Sequence, residues 1–254
     1  MKPEKIYAAI AEIEKDYFPG PTKTTEYDQT YLDSIAENEG SIKIVFDRAH
    51  FKVISISANL EAISGYTYEE WTENNMLLAF TEFMSGDDNF LFSWVKSADL
   101  ILEKAGSLLN YKAVFCGVSV KHKLGNTIRT LWRYLPVEVG ENHLVITAII
   151  SVDDVTHLMK SDAHWGRTVY GNLKKPKYHH IHSKENVDVF SDIISEREKE
   201  VLRLIAQGME SKEIGKTLFI SVNTVDNHRR NMIAKTGVRD TTALVQICRM
   251  CGII

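Results

Sequence analysis

Near the end of the chain, three amides, an arginine and an alanine recur at helical spacing. At 100° per residue they share one side of a helix predicted over 222–235. These five residues are Asn223, Asn227, Arg230, Asn231 and Ala234. Asn can contact adenine N6 and N7, and Arg can contact guanine O6 and N7. This face therefore suits a helix lying in the major groove of DNA, and a solvated helix face is the alternative.

The opposite side of the same predicted helix is less polar. It carries Val222, Val225, His228, Met232 and Thr236. Residues of this kind on one stripe are expected to pack against other helices of the same domain. The pattern thus predicts a helix that is anchored on one side and presents hydrogen-bonding groups on the other.

Other residues that could do chemistry give weaker signals. Cys248 and Cys251 have the spacing of a redox or metal pair, but no second Cys or His pair lies near in sequence. On a helix they are predicted to be two small apolar side chains. His179, His180 and His182 could bind a metal, yet no carboxylate or thiol motif joins them, which favours solvated histidines. The motifs of phosphate loops, zinc proteases and serine hydrolases are also missing, so we expect no catalytic site, no metal and no cofactor.

Composition and charge agree with a nucleic-acid partner. The chain has 254 residues, 44% of them hydrophobic and 25% charged, which is typical of one or two folded domains. No apolar run approaches the ~20 residues of a membrane span, and the first residues contain no signal core, so a cytoplasmic protein without membrane contact is expected. Residues 195–254 hold ten basic and seven acidic side chains, whereas the rest hold 20 and 27. A basic module on an acidic body favours a polyanionic partner.

Patterning along the chain predicts four stretches. Residues 1–26 should form an amphipathic helix and a connector. Residues 27–165 alternate two strands, two short helical zones and three β-rich runs, which predicts an α+β domain with a five-stranded antiparallel sheet and flanking helices. Residues 166–194 are polar and irregular and predict a linker. Residues 195–254 predict an all-α domain of four short helices.

The four predicted helices match a known DNA-binding module in order and spacing. The segments 193–208, 211–221 and 223–235 closely resemble the LuxR-type helix-turn-helix family. The resemblance implies that 211–218 is the positioning helix and 222–235 the recognition helix. Two residues depart from the family pattern: Gly215 stands where Ala is usual, and Thr236 where Leu is usual.

The resemblance also implies roles for seven side chains. The base-reading set is Asp226, Asn227 and Arg230. The set near DNA phosphates is Lys212, Ser221, Thr224 and Lys235. Phosphate contacts fix the register without reading the sequence. Asp226 would repel phosphate, yet it could accept a hydrogen bond from cytosine N4 or orient Arg230 one turn along.

A second resemblance concerns the first domain. Residues 51–70 look like the start of a PAS domain, with a hairpin, an Asn entering a short helix, and a Gly-Tyr-x-x-Glu-Glu run. Residues 152–156 resemble the strand and Asp-x-Thr that end such domains. PAS domains hold flavin, haem, small metabolites or nothing. Cys116 lies in a predicted strand rather than in the Asn-Cys-Arg motif of photoreceptors, and the expected haem-ligating His is missing, so a small apolar ligand or protein contact alone remains open.

The sequence therefore predicts a sequence-specific transcriptional regulator with a LuxR-type domain and a PAS-like sensor of an unidentified signal. Its expected partners are a double-stranded DNA operator, a second copy of the chain, and RNA polymerase. The apolar stripe of Ile6, Ile10 and Ile13 and the last helix, 241–251, are the expected dimer contacts. The alternative is a signalling scaffold whose C-terminal bundle binds protein rather than DNA.

Overall fold

The computed structural model describes six segments of the chain. They are residues 28–47, 52–72, 111–139, 145–172, 174–182 and 187–254. The amphipathic helix predicted within 1–26, with its stripe of Ile6, Ile10 and Ile13, and the second of the two helical zones predicted within 27–165 lie outside the described residues. None of the described helices has the length and hydropathy of a membrane span.

A strand-rich region comes first, and a helical bundle follows it. The elements of the first part are α1 (Gln29–Glu39), β1 (Ile42–Asp47), β2 (Lys52–Ile56), α2 (Leu60–Ser64), α3 (Tyr68–Thr72), β3 (Lys112–Lys121), β4 (Thr127–Val139) and β5 (Val145–Asp154). A 3-10 turn (Thr156–Leu158) then leads to β6 (Trp165–Asn172), β7 (Lys175–His182) and β8 (Val187–Val189). The bundle consists of α4 (Glu196–Ala206), α5 (Ser211–Leu218), α6 (Val222–Thr236) and α7 (Thr241–Met250).

All the described strands belong to one antiparallel sheet. Their order is β2-β1-β5-β4-β3-β6-β7-β8. The first five are the predicted strands, so the α+β fold with an antiparallel sheet is confirmed. The sheet has eight strands instead of five, because β6 pairs with β3 and is followed by β7 and β8.

Strands β6 to β8 occupy most of the stretch that was predicted to be a linker. In β7, His179 and Ile181 are buried, whereas His180 and His182 on the opposite face are only half-buried. This alternation is the period-2 pattern of a half-buried strand, and it is concealed in the sequence because polar residues occupy both faces. The linker prediction for 166–194 and the prediction of solvated histidines are therefore wrong for these strands.

The sheet has a separate hydrophobic core on each face. On one face Leu60 of α2 and Trp71 of α3 pack with sheet residues such as Ile44. On the other face Cys116 of β3 and Trp165 of β6 share a continuous core with the bundle, including Leu202. The bundle is thus packed directly on the sheet.

Local sequence signals account for the bundle helices. Ser195 caps α4. In its capping box with Glu198, each side chain accepts a hydrogen bond from the backbone N–H of the other residue, so two N–H groups that lack partners within the helix are satisfied. Ser221 caps α6 by accepting from Thr224 N, and Gly237 ends it at φ 69°. The bounds of α5, α6 and α7 agree with the predicted 211–218, 222–235 and 241–251 to within one residue.

The two departures from the family pattern fit their surroundings. A Cβ on Gly215 would lie 2.8 Å from the carbonyl oxygen of Ile220, so the close approach of the following turn requires glycine here. Thr236 is fully buried, and its hydroxyl donates to Met232 O at 2.7 Å. Its polar group is therefore satisfied within the helix.

Candidate nucleic-acid interface

The polar face of α6 is accessible to solvent. Asn223, Asn227, Arg230, Asn231 and Ala234 are all exposed. On the opposite side, Val225, Met232 and Thr236 are buried and His228 is half-buried, as predicted, whereas Val222 at the start of the helix is 44% exposed. The helix therefore presents its amides and arginine outward even while the bundle is packed on the sheet.

The three predicted base-reading residues lie together on this helix. Arg230 Nη2 donates to Asn227 Oδ1 at 2.5 Å, and Arg230 Nε approaches Asp226 O at 3.5 Å. The carboxylate of Asp226 accepts instead from Ser211 Oγ of α5, at 2.7 Å. Asp226 therefore does not orient Arg230 through its side chain, since Ser211 engages that carboxylate and Asn227 holds the guanidinium.

The four residues predicted near phosphates are in two kinds of environment. Lys212 is exposed on α5, and Ser221 and Thr224 share a hydrogen bond of 2.8 Å at the N-terminus of α6. A helix N-terminus favours anions because its free N–H groups and its dipole point toward them. Lys235, by contrast, is bound to both carboxylate oxygens of Glu198 at 2.9 Å.

The Lys235–Glu198 pair is held firmly within the bundle. Burial raises the pKa of Glu198, but the hydrogen bonds from Lys235 and Ser195 outweigh that effect and leave the pKa below its usual range. The carboxylate is thus ionised at neutral pH. A phosphate contact by Lys235 would have to compete with this ion pair.

This geometry is accompanied by a family match over the same part of the chain. A model of the bacterial regulatory proteins of the luxR family matches residues 192–248. Residues 192–248 are a LuxR-type helix-turn-helix domain. The transcriptional regulatory protein MctR of Rhizobium johnstonii is 37% identical over 70 residues, which cover 28% of this chain and 33% of that protein.

Further similarities cover different shares of the chain. The oxygen regulatory protein NreC of Staphylococcus aureus is 44% identical over 54 residues, covering 21% of this chain and 25% of that protein. The chain thus spans a quarter to a third of the length of these relatives. A PAS domain from Colwellia psychrerythraea has 19% identity and a TM-score of 0.36, covering 51% of this chain and 99% of that one. The VqmA dimer of Vibrio cholerae has 12% identity and a TM-score of 0.31, covering 87% and 88%.

The C-terminal end of α6 in the LuxR-type domain is bound to the sheet. Trp165 Nε1 donates to Thr236 O at 3.1 Å, and His182 Nε2 lies 2.9 Å from Lys235 O. Lys160 N donates to Gly237 O at 2.9 Å in the turn that follows α6. The last carbonyl groups of a helix have no N–H donor within the helix. Here residues of the sheet domain donate hydrogen bonds to carbonyl groups at the end of α6.

A buried ion cluster joins the two domains at a second point. Asp192 accepts from Arg167 Nε at 2.7 Å and pairs with Lys199 Nζ at 2.8 Å, and all three side chains are about 5% exposed. The Tyr178 ring lies 4.9 Å from the guanidinium and 4.6 Å from the ammonium. Burial raises the pKa of Asp192, but its bonds to the two cations outweigh this and lower it. Burial lowers the pKa of Lys199, and its bonds to Asp192 and Glu196 raise it overall.

The three thiols lie in the core between the sheet and the LuxR-type domain. Cys116, Cys248 and Cys251 are free and buried. Burial raises the pKa of all three, that of Cys248 to about 12. They are protonated and act as small apolar side chains. In the described segments, no three His, Cys, Asp or Glu residues are grouped in a way that could hold a metal.

The tertiary contacts that hold Asp226 and the end of α6 in place were not predicted from the sequence. Ser211 is an ordinary helix N-terminal serine in the sequence, and its bond to Asp226 spans 15 residues. Trp165 and His182 lie at the margin of, or within, the stretch predicted to be a linker. The pairing of that stretch with β3 is a tertiary contact, and no local signal in the sequence reports it.

Proposed function

We propose that the protein is a transcriptional regulator that binds a specific DNA operator through its LuxR-type domain. The observation that supports this most is the exposed polar face of α6, which the bundle anchors by Val225 and Met232. Arg230, Asn227 and Asp226 would read base edges, while Lys212, Ser221 and Thr224 would contact phosphates. Lys235 would join them only where a phosphate displaces Glu198.

The base-reading and phosphate-contacting roles can be separated by matched alanine variants. Arg230→Ala should lower the preference for the best operator over a mismatched one by about 1–3 kcal/mol. Lys212→Ala should weaken binding to all sequences about equally and reduce the salt slope by about one, because it releases one fewer counterion. Fluorescence anisotropy with operator and scrambled duplexes at several salt concentrations measures both effects. If the two variants showed the same uniform loss, the base-reading assignment would be wrong.

The same titrations test the alternative of a protein-binding scaffold. DNA binding must weaken steeply as the salt concentration rises, since cations leave the phosphates when the protein binds. A chain that binds no duplex even at low salt would favour the scaffold.

We further propose that the sheet domain is a PAS-like sensor that acts on the LuxR-type domain. The hydrogen bonds from Trp165 and His182 to the end of α6 support this. A conformational change in the sheet would be transmitted through them and would shift the position of the recognition helix. The signal would be a small apolar ligand or a protein contact on the face covered by α2 and α3. A contact with RNA polymerase remains a prediction.

We also expect the protein to bind DNA as a homodimer. A two-fold operator lets the same short recognition helix be used twice, about one helical turn apart. On α7, Ala243, Leu244 and Ile247 are buried inside the fold, so a partner would meet its exposed residues, including Gln246 and Arg249. Sedimentation at micromolar concentration should show a species of twice 28.9 kDa. A 28.9 kDa species alone, with and without DNA, would contradict the dimer.

A further inference from the structure

Hydrogen bonds within the polar face of α6 restrict the bases that it can read. This inference rests on the proposed DNA-binding function and concerns the same three side chains. Arg230 is bonded to Asn227, and Asp226 is bonded to Ser211. Each bond assigns one partner as donor and the other as acceptor, and this assignment decides what the face offers to a base edge.

The Arg230–Asn227 pair presents donors. A guanidinium has only N–H groups, so the Asn227 atom that meets it at 2.5 Å must be the amide oxygen. The Asn227 amide nitrogen, with two N–H groups, and the remaining guanidinium N–H groups are then left for DNA. In the major groove guanine offers two acceptors, N7 and O6, whereas adenine offers N7 beside the N6 donor. The adenine amine would face the guanidinium donors, so the pair favours guanine.

Asp226 presents acceptors only. A carboxylate has about four acceptor positions, and the single hydrogen bond from Ser211 at 2.7 Å leaves others available. Cytosine N4 and adenine N6 are the donors in the major groove, and adenine carries the N7 acceptor next to its amine. An acceptor beside a carboxylate is unfavourable, which leaves cytosine as the base that suits Asp226.

The two contacts lie close together on the DNA. Asp226 and Arg230 are four residues apart on α6, so their Cβ atoms are about 5–6 Å apart. Base pairs are stacked at about 3.4 Å. The guanine and the cytosine therefore belong to the same base pair or to neighbouring ones.

We propose that α6 reads a guanine with the Arg230–Asn227 pair and a cytosine with Asp226, and that Ser211 is the positioning residue for Asp226. Ser211 lies on α5, the helix that precedes the recognition helix, so base reading at Asp226 depends on the packing of both helices. The sequence suggested adenine for Asn227, and the donor assignment replaces that expectation.

Selection of randomised duplex DNA by the intact protein tests the base assignment. The enriched sites should hold a guanine and a cytosine on the same or neighbouring base pairs. Replacing that guanine by 7-deazaguanine, which lacks the N7 acceptor, should weaken binding by about 5- to 150-fold. A site with adenine at the position that depends on Asn227 would overturn the inference and leave the proposed function intact. Equal binding to all sequences would overturn both.

Variants on the two helices test the roles of Asp226 and Ser211. Asp226→Asn should reduce the discrimination against other bases at the cytosine position, because the amide also offers donors. Ser211→Ala should reduce the discrimination between bases at the cytosine position and at no other. Ser211→Thr, which keeps the hydroxyl, should retain the discrimination of the wild type. Glu200→Gln, whose side chain is exposed on α4 and has no assigned role in DNA binding, is the control and should leave the cytosine preference unchanged. An unchanged cytosine preference in Asp226→Asn, with thermal unfolding like that of the wild type, would overturn the inference.

Discussion

Replacing Asp192 with alanine should lower the free energy of unfolding by about 3–5 kcal/mol. The substitution removes the carboxylate that binds the buried Arg167, and it leaves the buried Lys199 with Glu196 as its remaining ion-pair partner. Uncompensated buried charge is among the largest single effects that a substitution can have. Urea unfolding followed by circular dichroism measures the loss. The cluster joins the sheet to the first helix of the LuxR-type domain. The variant should therefore unfold at a lower urea concentration than the wild type.

Glu200→Gln is the control for this prediction. It removes an ion pair with Arg197 in which the two side chains are 40% and 47% exposed, so a change of no more than about 1 kcal/mol is expected. Equal losses in the two variants would show that the buried cluster contributes no more than a surface pair. Since the pKa of Asp192 is lowered in the folded protein, its stabilising contribution is present above the ordinary carboxyl pKa. That contribution is lost as the pH falls below about 4, and the difference between wild type and Asp192→Ala should shrink there.

Gly237→Ala should separate the LuxR-type domain from the sheet. A Cβ at this position would lie 2.7 Å from Ser161 Oγ and 3.3 Å from Ala163 Cβ, both in the sheet domain. We therefore expect the thiol of Cys116, which is buried between the domains, to react at least about tenfold faster with a soluble disulfide reagent. A tenfold change corresponds to about 1.4 kcal/mol in the docking equilibrium. Mass spectrometry after timed labelling identifies which cysteine has reacted.

The matched control is Gly252→Ala. Gly252 has a similar backbone angle, φ 62° against 69°, but a Cβ there would meet nothing within 4 Å. Both variants carry the strain of alanine at positive φ, roughly 1–2 kcal/mol, and only Gly237→Ala adds the contact with the sheet domain. If both variants exposed Cys116 equally, the clash would not be the cause.

DNA affinity of the same variant tests the proposed action of the sensor. If the sheet domain restrains the LuxR-type domain, folded Gly237→Ala should bind half-site DNA at least as tightly as the wild type. If the sheet domain instead only holds two bundles at operator spacing, affinity for the full site should fall and half-site affinity should not change. A loss of half-site affinity would contradict restraint.

The sequence by itself determined the LuxR-type domain. Its helices are short, their apolar residues recur at helical spacing, and the cap residues Ser195, Ser221 and Gly237 act within a few residues of their own position. Interactions of this kind can be predicted from the sequence because the interacting groups are close together along the chain. The five strands β1 to β5 were also predicted, since turn residues and β-rich runs mark their limits. The face of α6 that carries Asn227 and Arg230 followed from the helical period alone.

Only the tertiary structure decided what surrounds these elements. The polar stretch after Trp165 forms strands because β6 pairs with β3, which is distant in sequence. Arg167 of β6 also pairs with Asp192 near the other end of the stretch, and Asp192 pairs with Lys199 beyond it. The bond from Trp165 to Thr236 O spans 71 residues. Hydrogen bonds are satisfied by whichever group the fold brings near, so the orientation of Asp226 by Ser211 and the docking of α6 on the sheet depend on packing that no local pattern specifies.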